Sequence, residues 1–210
     1  MQRPVPAARQ AFIGEVTPMP EIDVAANYAA MGVAANKLLR ECLGPQFTST
    51  PDGHIQTDIA AACSLSGLMI LQETVPDVYR SKPGNVIISE TYSRQEVIFD
   101  FMTNVVISDG RRAPSGVWDN FTAINDPMFS CEEMTRRLAP RFYELCGLFA
   151  RPYHKYIAAL AGMKLVLAGD SRGLLDFDVG QGLAAYYVVA GSKTAPYPEA
   201  LWPGDATAAR

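Results

Sequence analysis

Apolar residues recur along this chain in helix-length blocks, and three of those blocks are built largely from alanine and glycine: Ile59–Gln72, Tyr156–Gly169 and Val179–Ser192. Small side chains let helix backbones approach closely, so the pattern predicts a compact all-α bundle of about six helices. The first helix runs from about Glu21 to Leu43, with Ile22, Ala26, Ala29, Val33 and Leu39 at roughly helical spacing and Gly44-Pro45 as the stop. The second starts near Thr50-Pro51, a cap followed by proline at the first helical position, and continues to Val75. A third spans Glu90–Ser108, with Val97, Ile98, Phe101, Met102 and Val105 facing the core. Before it, Asn85–Ser89 reads as an extended run with no obvious partner strand.

The capping box Ser130-x-x-Glu133 opens a fourth helix that reaches Phe149 and holds Pro140 inside it. Two final helices, Pro152–Ala168 and Leu174–Gly191, flank a turn at Gly169–Gly173. There the glycines supply positive φ, and Asp170 or Ser171 caps the next helix. Prolines 4, 6, 18 and 20, and then 196, 198 and 203, mark extended arms at 1–20 and 194–210 around a helical domain at 21–193. Both arms carry apolar side chains, which favours docking on the body or on a second subunit.

Composition narrows the function more than it names one. The 210 residues are 49% hydrophobic and 19% charged, with a net charge of −4, so the chain folds and repels a phosphate backbone; nucleic acid is not an expected partner. Asp58 and Glu73 bracket 14 uncharged residues, short of the roughly 20 that a spanning helix needs. The opening MQRPVPAARQAFIG lacks the apolar run of a secretory signal, and no CxxC pair occurs among four cysteines. These features predict a cytoplasmic protein with inert buried thiols, no cofactor and no metal. Arginine outnumbers lysine 13 to 5, a compositional association with GC-rich bacterial genomes.

Three constellations carry candidate chemistry. Gly169-Asp170-Ser171-Arg172-Gly173 fits the G-x-S-x-G elbow, in which a strained turn exposes a serine nucleophile; His154 is the candidate base for Ser171, and Cys146 an alternative partner for His154. No histidine follows Ser171, and a helix-hairpin turn explains the glycines without catalysis. Glu132 and Glu133 sit four residues before Arg136 and Arg137, as ion pairs on a helix face do. The long connection Asp109–Phe129 mixes Arg111, Arg112, Trp118, Asp119, Asn120 and Phe121, residue types that anchor interfaces.

The leading expectation is therefore a non-enzymatic helical protein that works through a protein partner or through itself, as a homo-oligomer. A hydrolase using Ser171, and a small-molecule binder with a pocket at Met163, Tyr186 and Tyr187, are the alternatives.

Overall fold

The second apolar block organises the molecule because it is apolar all the way round. A helix without a polar face must be surrounded, and in the computed structural model, which describes residues 23–43, 54–88, 91–112 and 127–203, this helix is buried continuously from Thr57 to Gln72. Six α-helices are present among the described residues: α1 (Val24–Glu41), α2 (Ile55–Thr74), α3 (Tyr92–Ser108), α4 (Cys131–Leu145), α5 (His154–Ser171) and α6 (Phe177–Lys193). The architecture is all-α, as the apolar periodicity predicts. None of these helices is long and apolar enough to cross a membrane.

The glycines explain how α2 is enclosed. A Cβ on Gly67 would land on the Val188 carbonyl oxygen of α6 and 2.6 Å from the Ser192 nitrogen; Gly191 meets the backbone of Ser64 in the same way. Only hydrogen at these positions lets the two backbones touch. Helix α5 runs antiparallel to α2, with Gly169 beside Ile55, Gly162 against Cys63 and Lys155 against Glu73. Helix α4 crosses α2 from Cys131, beside Ser64, to Tyr143, beside Gln72. Helices α1 and α3 flank α5, where Phe101 meets Tyr156 edge-on at 5.2 Å and Asn27 donates to the Tyr153 hydroxyl at 3.2 Å.

Several local expectations are corrected. Helix α4 stops at Leu145, not Phe149, and Ser130 makes no side-chain cap. Glu133 turns instead to Arg136 and Arg137, 2.8 Å from each Nε, so charge-assisted bonds replace the capping box and Glu133 takes the arginine expected for Glu132. Helix α5 continues through Gly169 and Asp170. Gly173 alone in that turn has positive φ, at 67°, and Asp176 caps α6 by accepting from the Asp178 and Val179 amides. Helix α2 is capped by the His54 ring, while the expected Thr50-Pro51 start lies outside the described residues.

The extended run at 85–88 joins no sheet among the described residues and makes a single isolated bridge. Val86 bridges Thr194, with Ile87 N–H donating to Lys193 C=O at 2.7 Å and Ala195 N–H to Asn85 C=O at 2.8 Å. The C-terminal segment 194–203 lies along the body from that point. Ala195, Ala200 and Leu201 are buried, and Trp202 packs edge-on against Tyr143 at 4.8 Å. The N-terminal arm at 1–20 lies outside the described residues.

Candidate functional site

Helix geometry separates the residues of the elbow motif. Ser171 and His154 are the two ends of α5, 17 residues apart, or about 25 Å at 1.5 Å per residue. Ser171 is exposed and donates to the Ala168 carbonyl at 3.0 Å, the ordinary back-bond of a helical serine. Asp170 is held by Arg111, Nη1 to Oδ2 at 2.6 Å. The motif is the C-terminal end of α5, and its expected base, His154, lies at the other end of that helix. His154 does lie near Cys146, but burial holds the Cys146 thiol up at about 12, far from a neutral-pH thiolate. Burial also lowers the pKa of His154. That combination opposes the thiolate–imidazolium pair a cysteine nucleophile requires.

The arginine–aromatic loop is partly placed. Arg111 is engaged inside the molecule: besides Asp170 it reaches Asp109 at 3.3 Å and lies over the Phe177 ring at 4.6 Å, pinning the end of α3 to the α5–α6 hairpin. Arg112 is exposed. Trp118, Asp119, Asn120 and Phe121 lie outside the described residues. Of the three residues expected to line a pocket, Met163 comes from α5 and Tyr186 and Tyr187 from α6. Met163 is fully buried, and Tyr186 meets Tyr187 edge-on at 5.1 Å. No cluster of His, Cys, Asp or Glu able to hold a metal ion occurs among the described residues.

Two features escaped the sequence. One is a buried ion pair, Lys155 Nζ to Glu73 Oε2 at 2.6 Å, joined by Arg94 at 3.2 Å. These three residues come from α5, α2 and α3, and no local spacing reveals them.

The other is the outer face of α1. The stripe Ala26, Ala29, Val33 looks like a core face, yet all three residues face solvent and Val33 is 59% exposed; the buried face is Met31, Ala34, Ala35 and Leu38. The exposed half of α1 carries no charge from Val24 to Asn36. It borders a cleft of about 490 Å³ against α3, lined by Val24, Ala25, Tyr28, Phe101, Asn104 and Val105 together with Ser108. Phe101 and Val105 form the floor; Ala25, Tyr28, Asn104 and Ser108 are exposed at the rim. Burial and the nearby Asp109 carboxylate raise the Tyr28 pKa, so its hydroxyl stays protonated and able to donate. The charge-free run was visible in the sequence, where it is natural to assign it to the core. No protein-family model, curated protein or solved structure matches this chain.

Proposed function

We propose that this protein works by pairing with other protein surfaces, and first of all with a second copy of itself, through the exposed face of α1 and the α1–α3 cleft. The observation that carries this reading is the solvent-facing, charge-free stripe Ala26, Ala29 and Val33 beside an apolar groove. Exposed contiguous apolar surface marks interaction sites. The choice of a second copy follows from charge. In a two-fold contact a residue near the axis meets its own equivalent, so any charge there faces a like charge. A run without charge is what that symmetry requires. Elsewhere a net charge of −4 keeps two copies apart.

A small molecule suits the cleft less well. Its volume falls within the usual range for ligand pockets, but those sites enclose most of the ligand. Here four of seven lining residues are exposed, and a ligand would remain half in water. A helix presenting Tyr28 fits an open trough better.

Size sets the strength. Helix α1 is about 27 Å long and about 10 Å wide, so even with the cleft walls the contact falls short of the roughly 800 Å² per partner of a standard interface. The dimer is therefore weak, with a Kd in the micromolar range or above.

Sedimentation velocity over a concentration series tests this. The wild type shifts reversibly from monomer to dimer, and Ala29→Glu, which places a charge on the face without touching the core, abolishes the shift. A wild type that stays monomeric at the highest soluble concentration overturns the proposal. So does a dimer that Ala29→Glu leaves equally strong.

A further inference from the structure

We infer that residues 194–203 form an acid-sensitive strap, latched over the neutral ring of His154 and released when that ring takes up a proton. His154 is 0% exposed at the start of α5. Its ring is packed against Phe142 at 5.7 Å, Tyr143 at 6.4 Å and Trp202 of the strap at 4.9 Å. The Phe149 carbonyl lies 3.1 Å from Nε2, so the neutral ring carries its proton there, and Nδ1 is left buried with no hydrogen-bond partner.

Protonation puts a second N–H on Nδ1, a buried atom without a hydrogen-bond partner in the closed state. The Cys146 carbonyl, which accepts from the Phe149 amide at 2.8 Å, also faces the ring, and it and the Phe149 carbonyl favour the charged form, but burial outweighs both. The charge acting on the ring is that of Arg151, which is repulsive. The surrounding carboxylates are committed elsewhere. Glu73 of α2 is held by Lys155 and Arg94, Glu41 of α1 and Glu144 of α4 by Arg141, and Glu199 of the strap acts on Arg136. Tyr143, the titratable side chain that α4 turns to the ring, donates to the Ala200 carbonyl at 2.9 Å.

A charged ring must therefore reach water, and the half-buried Trp202 stands in its way. Ala200 and Leu201 are buried, and the Ala200 carbonyl accepts from Tyr143 at 2.9 Å and from Gln72 at 3.2 Å, so the part of the strap that can yield is its end at Trp202, held by ring contacts. Its other end is tied by the backbone bonds to Asn85 and Ile87.

The sign follows from the burial that lowers the pKa of the ring. The latch is whole above the ordinary imidazole value of about 6.5 and weakens as pH falls below it. Opening gains at most about tenfold per pH unit, until the closed-state ring itself titrates.

The test is acrylamide quenching of Trp202 in the full chain carrying Trp118→Phe, between about pH 7.5 and 5, across the imidazole range. The quenching constant rises severalfold on acidification while far-UV circular dichroism holds steady. The same protein carrying His154→Gln shows no such rise. A flat response from the histidine-bearing protein, or an equal rise without the histidine, overturns the inference.

Should His154→Gln not fold, nuclear magnetic resonance titration of His154 decides the matter. Trp202→Ala opens the latch and raises the pKa of the ring by a unit or more, a tenfold easier protonation. A pKa that Trp202→Ala leaves unmoved counts against the strap.

Discussion

The contact between α2 and α6 yields a two-sided prediction from a single methyl group. Replacing glycine by alanine within a helix gains about 1 kcal/mol from backbone entropy wherever there is room. Gly32 has room, since nothing lies within 4 Å of a Cβ built there. Gly67 does not. Its Cβ would overlap the Val188 carbonyl oxygen and come within 2.6 Å of the Ser192 nitrogen and 2.8 Å of the Gly191 carbonyl carbon. All three are backbone atoms of α6, so no rotamer relieves the overlap and the helices must part. Overpacking ordinarily costs about 1–3 kcal/mol, and a rigid neighbour places this case at the upper end. Gly67→Ala therefore loses about 2 kcal/mol net and Gly32→Ala gains up to 1, a gap of about 3 kcal/mol. Urea unfolding followed by circular dichroism, at concentrations too low for pairing, measures it. In thermal melts the gap corresponds to about 6–12 °C for a chain of this size. If the two variants prove equally stable, the backbones are not in contact and the packing reasoning fails.

Further outcomes follow from the same contacts. Lys155→Met leaves the Glu73 carboxylate buried with Arg94 alone and costs about 3–5 kcal/mol in urea unfolding, most of it recovered by adding Glu73→Leu; a cost below about 1 kcal/mol would mean the pair is solvated. Burial pushes the thiols of Cys63 and Cys146 up to about 12 and that of Cys131 to about 11, so a disulfide reagent leaves them unmodified in the native protein and labels them in urea; rapid native labelling is the contrary result. Because the pKa of His154 is lowered, the unfolded chain binds the extra proton. Stability is then highest above about pH 6.5 and declines below it. That part of the decline vanishes in His154→Gln; its persistence would assign the slope to other groups. A serine-directed phosphonate does not label Ser171, and labelling that Ser171→Ala removes would reinstate the hydrolase.

What could be read from the chain alone follows from the range of each interaction. The α2 run was legible because an apolar block without a polar face has one stable location. Helix ends were less so. Gly169 resembles a turn residue, yet it lies inside α5, where Ile55 and Leu175 crowd the place a side chain would fill. The Ser130–Glu133 box was outcompeted by two arginines on the same helix. The Glu73–Lys155 pair spans 82 positions and leaves no local trace. The exposure of the outer face of α1 is hidden from the sequence for a different reason. Periodicity shows which residues share a face, not whether another element of the same molecule covers it. Val97 of α3, assigned to the core by spacing, is likewise exposed.

Pairing through α1 is tested most directly by pulsed electron resonance on protein spin-labelled at Lys37→Cys, an exposed position of α1 just beyond the charge-free face. Cys42, Cys63 and Cys146 are buried and stay unlabelled, and the half-buried Cys131 is replaced by serine. Two helices in face-to-face contact have axes about 8–10 Å apart, so labels on them produce a strong short-distance dipolar signal at high protein concentration. That signal fades on dilution with unlabelled chain. A trace without dipolar modulation at the same concentration would contradict the account.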